Sequence, residues 1–459
     1  MLDQDSDDSR RRALIGVAFF PRGGSAHVIR ALAGALPAHG WETTVVSGSQ
    51  PGAGDAEQFY AGLDVRAVPV AERGLLASYE DRPDAPDRVF ADLGDAAFER
   101  QVTAWAGALE QAGAAEADVL HLHHLTPLHA AAERVAPDVP VVGHLHGTEL
   151  LMLERIAAGA PPSWRHADAW AERMRAWADR CALTIVLTER QKERVAALLE
   201  LPPERCVAVP NGVDAAQFAP APVDRRAHWR RLLVERPRGW RPGGHEGSVA
   251  YEVGDLTAFE GDGPVLLYVG RFTEVKRVGL LIRAFARAQR NWDVRVPLVI
   301  VGGHPGEWEG EHPWEAIRAS GARDVFLAGW QHHHELPQIL NAADALILPS
   351  VREQFGSVLV EAMACGLPPV AADALGPAEI VRPGETGWLV EPDDEGALVN
   401  ALTEVVEKPA ERRRRGAKAR IDAVARFGRD AAAARVAATY AAAVSADAPP
   451  SGAPAVASS

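Results

Sequence analysis

Four side chains set the chemistry within this chain's reach: Arg271 and Lys276 in Gly270-Arg271-Phe272-Thr273-Glu274-Val275-Lys276, and Glu353 and Glu361 in PSVREQFGSVLVEAMACGLPP, residues 349–369. Arg offers phosphate a planar fork and Lys a mobile point charge. When a bond to a diphosphate breaks, negative charge builds on the leaving oxygen. A fixed cation there is worth roughly 2.7–4 kcal/mol, by analogy with oxyanion-hole donors. Between the two glutamates Gly356 permits a tight turn and Ser357 is expected to cap the helix that follows. The backbone N–H groups of Phe355, Gly356, Ser357 and Val358 then form a helix N-terminus suited to a diphosphate. A carboxylate on either side suits hydroxyls, one pair on a ribose and others on a sugar. Composition sharpens the assignment of Lys276. Of 48 basic residues only Lys192, Lys276, Lys408 and Lys418 are lysine, and one of these four stands in the motif.

The elements that position these residues are short apolar runs. Val265–Val269 precedes Gly270 and Ala345–Leu348 precedes Pro349; both read as buried parallel strands. Leu298–Val301 leads into Gly302-Gly303, and Val325–Gly329 is a further strand. The first half follows the same plan. Ala13–Phe20 (ALIGVAFF) is a strand, Pro21-Arg22-Gly23-Gly24-Ser25 a glycine loop, and Ala26–Leu36 a helix. The loop lacks the G-x-G-x-x-G order of a dinucleotide site. Further strands are expected at 43–47, 65–68, 119–122, 139–145, 183–187 and 206–209, with helices between most of them and a loop over 72–95. The alternation predicts α/β architecture with parallel sheets covered on both faces. The helix expected over Ser163–Arg180 carries Trp164, Trp170 and Trp177, which either pack it on the sheet or wall an acceptor. Helices are also expected at 225–234, 335–341, 420–426 and 430–444.

A length of 459 residues implies two domains. A net charge of −14 argues against a nucleic-acid partner or broad attachment to anionic lipid. No apolar run approaches the ~20 residues that span a bilayer, and MLDQDSDDSRRR has no signal-peptide core. Three scattered cysteines suggest neither a disulfide framework nor a zinc site. These features predict a cytoplasmic enzyme without membrane insertion.

Glu353 and Glu361 sit in a context of Pro349, Phe355, Gly356, Ala364, Cys365 and Gly366, downstream of the G-R-x4-K run and of Pro210-Asn211-Gly212-Val213-Asp214. Together these motifs resemble glycosyltransferase family 4, the glycosyl transferases group 1, over about residues 13–445. The resemblance implies the GT-B fold, two Rossmann-like domains with parallel sheets facing a central cleft. It places the acceptor domain at 13–211 with a returning helix at 428–445, and the nucleotide-sugar domain at 212–427. Residues 1–12 and 446–459 are expected to be disordered.

It implies a retaining hexosyltransferase taking an α-linked nucleotide-sugar, with uridine the expected base, to a small-molecule hydroxyl; no cofactor or metal is required. Arg271 and Lys276 become the diphosphate clamp, Glu361 the ribose partner, and Glu353 with Phe355–Ser357 the partners of sugar hydroxyls and phosphate. Gly270, Gly302 and Gly303 fall on the donor side, with the nucleobase near Gly302-Gly303 and Gly329-Trp330. Gly23 and Gly24 lie under the donor phosphates or near the acceptor, or simply form a turn. His146, before Gly147, is expected beside the donor sugar. Glu149 and His124 fall on the acceptor side, or serve as a helix cap and strand-end packing respectively. His121 and His123 are read as strand-end packing, and His332-His333-His334 as exposed, since three consecutive side chains do not converge on one metal ion. Two alternatives stay open: a non-hydrolysing sugar-nucleotide epimerase of the same architecture, and a transferase acting on a membrane lipid. The departure from the family is 221–262, longer than its usual link. That segment shapes the acceptor side, forms a homo-oligomer contact, or does nothing specific.

Overall fold

The computed structural model describes residues 10–21, 23–80 and 87–446. The sequence ends expected to be disordered lie outside these residues, apart from 10–12 and Ala446. Arg11 and Arg12 already belong to the first strand, and the last helix runs to Ala446. The chain divides into two compact units, Met1–Gly212 with Arg429–Ser459, and Val213–Gly428.

In the first unit the apolar runs form strands β1 (Arg11–Val17), β2 (Trp41–Ser49), β3 (Asp64–Pro69), β4 (Val119–His123), β5 (Val141–His144), β6 (Leu183–Val186) and β7 (Cys206–Ala208). They pair in parallel in the order β3-β2-β1-β4-β5-β6-β7. Such strands are buried on both faces, which is why they read as continuous apolar runs. One face is covered by the helices Gly24–Ala35 and Arg429–Ala446, through Val28, Ile29, Leu32, Val436 and Tyr440. Val102, Trp105, Leu109 and Leu128 cover part of the other face. Trp170 and Trp177 are buried beside Phe90 and Met174, so the helix Ala167–Arg180 spends its tryptophans on the core. Within the stretch expected to be loop, Ala77–Ser78 pairs with Arg88–Val89.

In the second unit the strands are β8 (Leu266–Val269), β9 (Leu298–Val301), β10 (Val325–Gly329), β11 (Ala345–Leu348), β12 (Pro369–Ala372) and β13 (Trp388–Val390). They too are parallel, in the order β10-β9-β8-β11-β12-β13. Both orders run outward from the first strand on one side and then reverse, as in doubly wound nucleotide-binding sheets.

The unusual segment 221–262 has a structural account. It begins as a helix, Arg225–Arg230, that widens into a π-turn at Arg231–Glu235. It then passes along β10, an edge strand with backbone groups to cover. Tyr251 Oη accepts from the amide of Leu327 at 2.8 Å. Gly239 lies so close that a Cβ there would come within 2.3 Å of the Leu327 carbonyl oxygen. Trp229 and Trp240 are buried, their indole N–H groups donating to the carbonyls of Ala342 (3.2 Å) and Gly303 (3.1 Å). The segment is a cover for the sheet edge.

Candidate active site

In an open α/β sheet, ligands bind beyond the carboxyl ends of the strands where the order reverses. In the second unit that point lies between β8 and β11. β8 runs into Gly270-Arg271 and β11 into Pro349–Glu353. The two loops are joined by the amide of Val351 donating to the carbonyl of Val275 at 3.0 Å. This stitch sets Lys276 beside Glu353, and the Lys276 ammonium bonds Glu353 Oε2 with both side chains less than a fifth exposed. Arg271 is exposed on the same loop. Beneath it Tyr268 is fully buried, its hydroxyl donating to the Arg271 carbonyl at 2.9 Å. Burial, and then the nearby charge of Glu353, push the Tyr268 pKa well above its usual value, so the phenol stays a neutral donor. Gly270 lies over this phenol, where a Cβ would come within 2.7 Å of the hydroxyl. Gly302 (φ +126) and Gly303 (φ +69) let the next loop close in, since a Cβ on Gly302 would fall 2.0 Å from the Gly270 carbonyl oxygen. Trp330 is partly exposed, with the His304 ring 4.9 Å away.

The loop after β11 is braced from below. The Gly376 amide donates to the Glu353 carbonyl at 3.1 Å, and the Gly376 Cα packs against the backbone of the buried Phe355. Gly356, at φ +96, is the N-cap of the helix Ser357–Ala364. The expectation for Ser357 is corrected here: it is the first helical residue, and no side chain caps the helix. The left-handed backbone that only glycine enters cheaply performs the turn instead. Val358 is half-buried while Leu359, Ala362 and Met363 face the core. Glu361 lies one turn further along.

The expectation for the triple histidine is also corrected. His332 and His334 are exposed, but His333 turns inward, packs 5.4 Å from Phe218 and places Nε2 2.8 Å from Glu361 Oε1. A 3-10 turn over His333–Glu335 sends successive side chains about 120° apart, so one of three faces the protein. Burial by itself lowers the His333 pKa, but the hydrogen bond and charge of Glu361 outweigh it and raise the value.

In the first unit Gly23 and Gly24 open the helix Gly24–Ala35, and a Cβ on either would meet no atom within 4 Å. Internal packing therefore does not require glycine at these positions. The strand-end histidines form a buried ladder. His121 and His123 share one face of β4, and the register places His144 of β5 opposite His123. His121 Nδ1 lies 2.6 Å from Tyr440 Oη and its Nε2 lies 3.1 Å from His144 Nδ1, while His123 Nδ1 lies 2.8 Å from His146 Nε2. Burial holds all four ring pKa values low, that of His121 at about 3.

His121, His123 and His144 each offer a ring nitrogen within 4.8 Å of the others. Both His121 ring nitrogens, His144 Nδ1 and His123 Nδ1 are already taken up by the ladder's hydrogen bonds, and the His144 ring stacks on those of His121 (5.2 Å) and His123 (4.6 Å). Glu149 and His124, expected on the acceptor side or as a helix cap and strand-end packing, are both buried. Glu149 is fully buried, accepting from the His146 amide at 2.8 Å and lying 3.3 Å from His124 Nδ1. Burial works to raise the Glu149 pKa, but the charge and hydrogen bond of His124 hold it low. His124 is itself buried, at φ +63, edge-on to Phe19. These two side chains fasten the ends of β4 and β5 to the next helix and do not face solvent.

Residues 22–217 match the model of Glycosyltransferase Family 4, and residues 256–422 that of Glycosyl transferases group 1. The chain is 30% identical over 389 residues to a D-inositol 3-phosphate glycosyltransferase of Geodermatophilus obscurus, covering 77% of this chain and 79% of the relative. It is 30% identical over 429 residues to the protein of the same name from Thermobispora bispora, covering 85% and 91%. The chain belongs to glycosyltransferase family 4. Its fold matches sucrose-phosphate synthase of Thermosynechococcus elongatus (TM-score 0.67, 20% identity, 95% of this chain and 100% of that one). It also matches Anabaena HepE in complex with UDP and glucose (TM-score 0.64, 19% identity, 94% and 99%). The GT-B architecture expected of the family is therefore present, as two α/β domains with parallel sheets. Neither family model reaches residues 218–255, which hold most of the segment covering the β10 edge.

The second unit thus gathers Arg271, Lys276, Glu353, Glu361 and the glycines 270, 302, 303 and 356 around one sheet's carboxyl ends. His146, His124, Glu149, Gly23 and Gly24 belong to the other unit. Sequence reasoning missed Tyr268 and His333. Tyr268 interrupts an otherwise aliphatic strand, which is a usable signal for a buried hydroxyl. No local signal separates His333 from its two neighbours.

Proposed function

We propose that this transferase moves a hexosyl group, with retention, from an α-linked UDP-sugar to a hydroxyl of a small polar acceptor. The observation that carries the reading is Lys276 fastened to Glu353 at the sheet's reversal point, with Arg271 on the same loop and Glu361 one helical turn beyond the glycine cap. In this proposal Arg271 and Lys276 stabilise the departing diphosphate as charge builds on it. Glu353 and the amides of Phe355–Val358 take sugar hydroxyls and phosphate, Gly302-Gly303 and Trp330 line the base, and Glu361 holds the ribose. No side chain acts as nucleophile; the acceptor attacks the face the diphosphate leaves, and a donor phosphate oxygen takes its proton. The two cations do the neutralising, so turnover should persist in a chelator. UDP in the HepE complex supports the choice of base, and the relatives' name supports a polyol phosphate as acceptor. Among the described residues no helix is long and apolar enough to cross a membrane.

The test incubates UDP-, GDP- and ADP-sugars alone, then with inositol 3-phosphate or lipid vesicles. Diphosphate release that needs inositol 3-phosphate supports the reading. Epimerised donor without acceptor supports the epimerase, and release that needs vesicles supports a lipid acceptor. Release from none of the donors under any condition overturns the transferase reading.

A further inference from the structure

Glu361 is held by a histidine of the His332-His333-His334 run, outside the motifs that carry the family resemblance. His333 Nε2 lies 2.8 Å from Glu361 Oε1, and the Glu361 side chain is only 12% exposed. The His333 ring is backed by Phe218, which limits its swing. The Glu361 carbonyl accepts from the Cys365 amide at 3.0 Å, fixing the helix turn that carries the carboxylate. An ionised carboxylate has about four lone-pair positions, so one imidazole N–H leaves room for a vicinal diol.

We propose that His333 is a positioning residue for the donor: its protonated imidazole fixes the Glu361 carboxylate for the two ribose hydroxyls and makes donor affinity fall as pH rises. This rests on the reading of Glu361 as the ribose partner. A charged donor bonds a carboxylate roughly twice as strongly as a neutral one, so loss of the proton loosens the carboxylate. The direction follows from the neighbours. The Glu361 charge favours the imidazolium, against the opposing effect of burial. The function is thus present below the raised His333 pKa and lost above it. The other titratable groups nearby hold other partners. The Cys365 thiol is pushed up to about 12 by burial and then by Glu361 itself, and Arg420 spends its guanidinium on the carbonyls of Ala215, Phe218 and Ala364. His332, His334 and Glu335 share the His333 turn; Glu335 bonds the His332 amide at 3.1 Å, and the rings of His332 and His334 stack 5.4 Å apart.

The experiment is calorimetric titration of the full chain with UDP-glucose, GDP-mannose and ADP-glucose, whose diphosphate diesters do not titrate near neutrality. Between about pH 6 and pH 8.5, the bound donor's Kd should rise roughly three- to tenfold, the difference between a charged and a neutral hydrogen bond. His333→Gln should remove that slope and raise KM for the donor with kcat within about twofold of wild type. Adding Glu361→Gln to His333→Gln should cost little more than Glu361→Gln alone, because residues acting as one unit are not additive. If Glu361→Gln weakens the donor but His333→Gln keeps the wild-type Kd and pH profile, the positioning role is wrong and the ribose reading stands. If Glu361→Gln binds the donor as wild type does, or wild type binds none of the three, the ribose reading fails and takes this inference with it.

Discussion

Replacing Lys276 with alanine tests the proposed chemistry most directly. The ammonium sits on Glu353 at the meeting of two loops, which follow the buried strands Leu266–Val269 and Ala345–Leu348. Loss of one preorganised donor to a developing oxyanion costs roughly 2.7–4 kcal/mol, or about a hundred- to a thousandfold in turnover. The folding cost should be smaller. The pair is partly exposed, in loops tied independently by the Val351–Val275 hydrogen bond. Leaving Glu353 without its partner should cost on the order of 1 kcal/mol, a fall in Tm of roughly 2–4 °C for a chain of this size. The assay pairs steady-state diphosphate release with donor affinity by calorimetry and a thermal melt. The expected pattern is a collapse in kcat, a modest change in donor Kd and a small shift in Tm. A folded Lys276→Ala protein with turnover within about threefold of wild type would refute the clamp. If kcat fell only as far as the folded fraction fell, the lysine would be structural.

Three further outcomes follow from buried groups. The histidine ladder folds neutral, with the His121 pKa lowered to about 3 by burial, so its contribution is intact above the ordinary histidine pKa of about 6.5 and is lost as pH falls from there towards 3. Tm should therefore drop between about pH 7 and pH 5, less steeply in His121→Asn, and equal slopes in the two proteins would contradict this account. Glu149→Ala should cost about 3 kcal/mol or more of stability by stranding the His146 amide and His124, and a fully stable variant with only a raised acceptor KM would restore an acceptor role. Tyr251→Phe should cost roughly 1–3 kcal/mol, because the Leu327 amide on the edge strand loses its acceptor; an unchanged denaturation midpoint would show that water replaces the hydroxyl without loss.

The sequence by itself determined the alternation of apolar runs and helices, the parallel sheets, and the position of Arg271, Lys276 and Glu353 just beyond two strand ends. These are legible because a buried parallel strand is a local apolar run, and the residues that follow such a run fall at the sheet's carboxyl edge. The expected strands lie within three residues of the observed ones at each end, Ala13–Phe20 proving to be Arg11–Val17, whereas Pro369–Ala372 and Trp388–Val390 were not expected. What the chain could not disclose is which polar groups face inward. His333 has the same local sequence as its exposed neighbours and is set apart only by the turn's rotation towards Glu361. For Glu149 and His124 the sequence left acceptor contact and internal packing both open, and burial between helix and sheet is a tertiary fact. The role of 221–262 was equally hidden, since it depends on β10 lying at the edge of its sheet, and strand order is a property of tertiary pairing. Local periodicity fixes an element; burial and long-range partners fix what its polar atoms do.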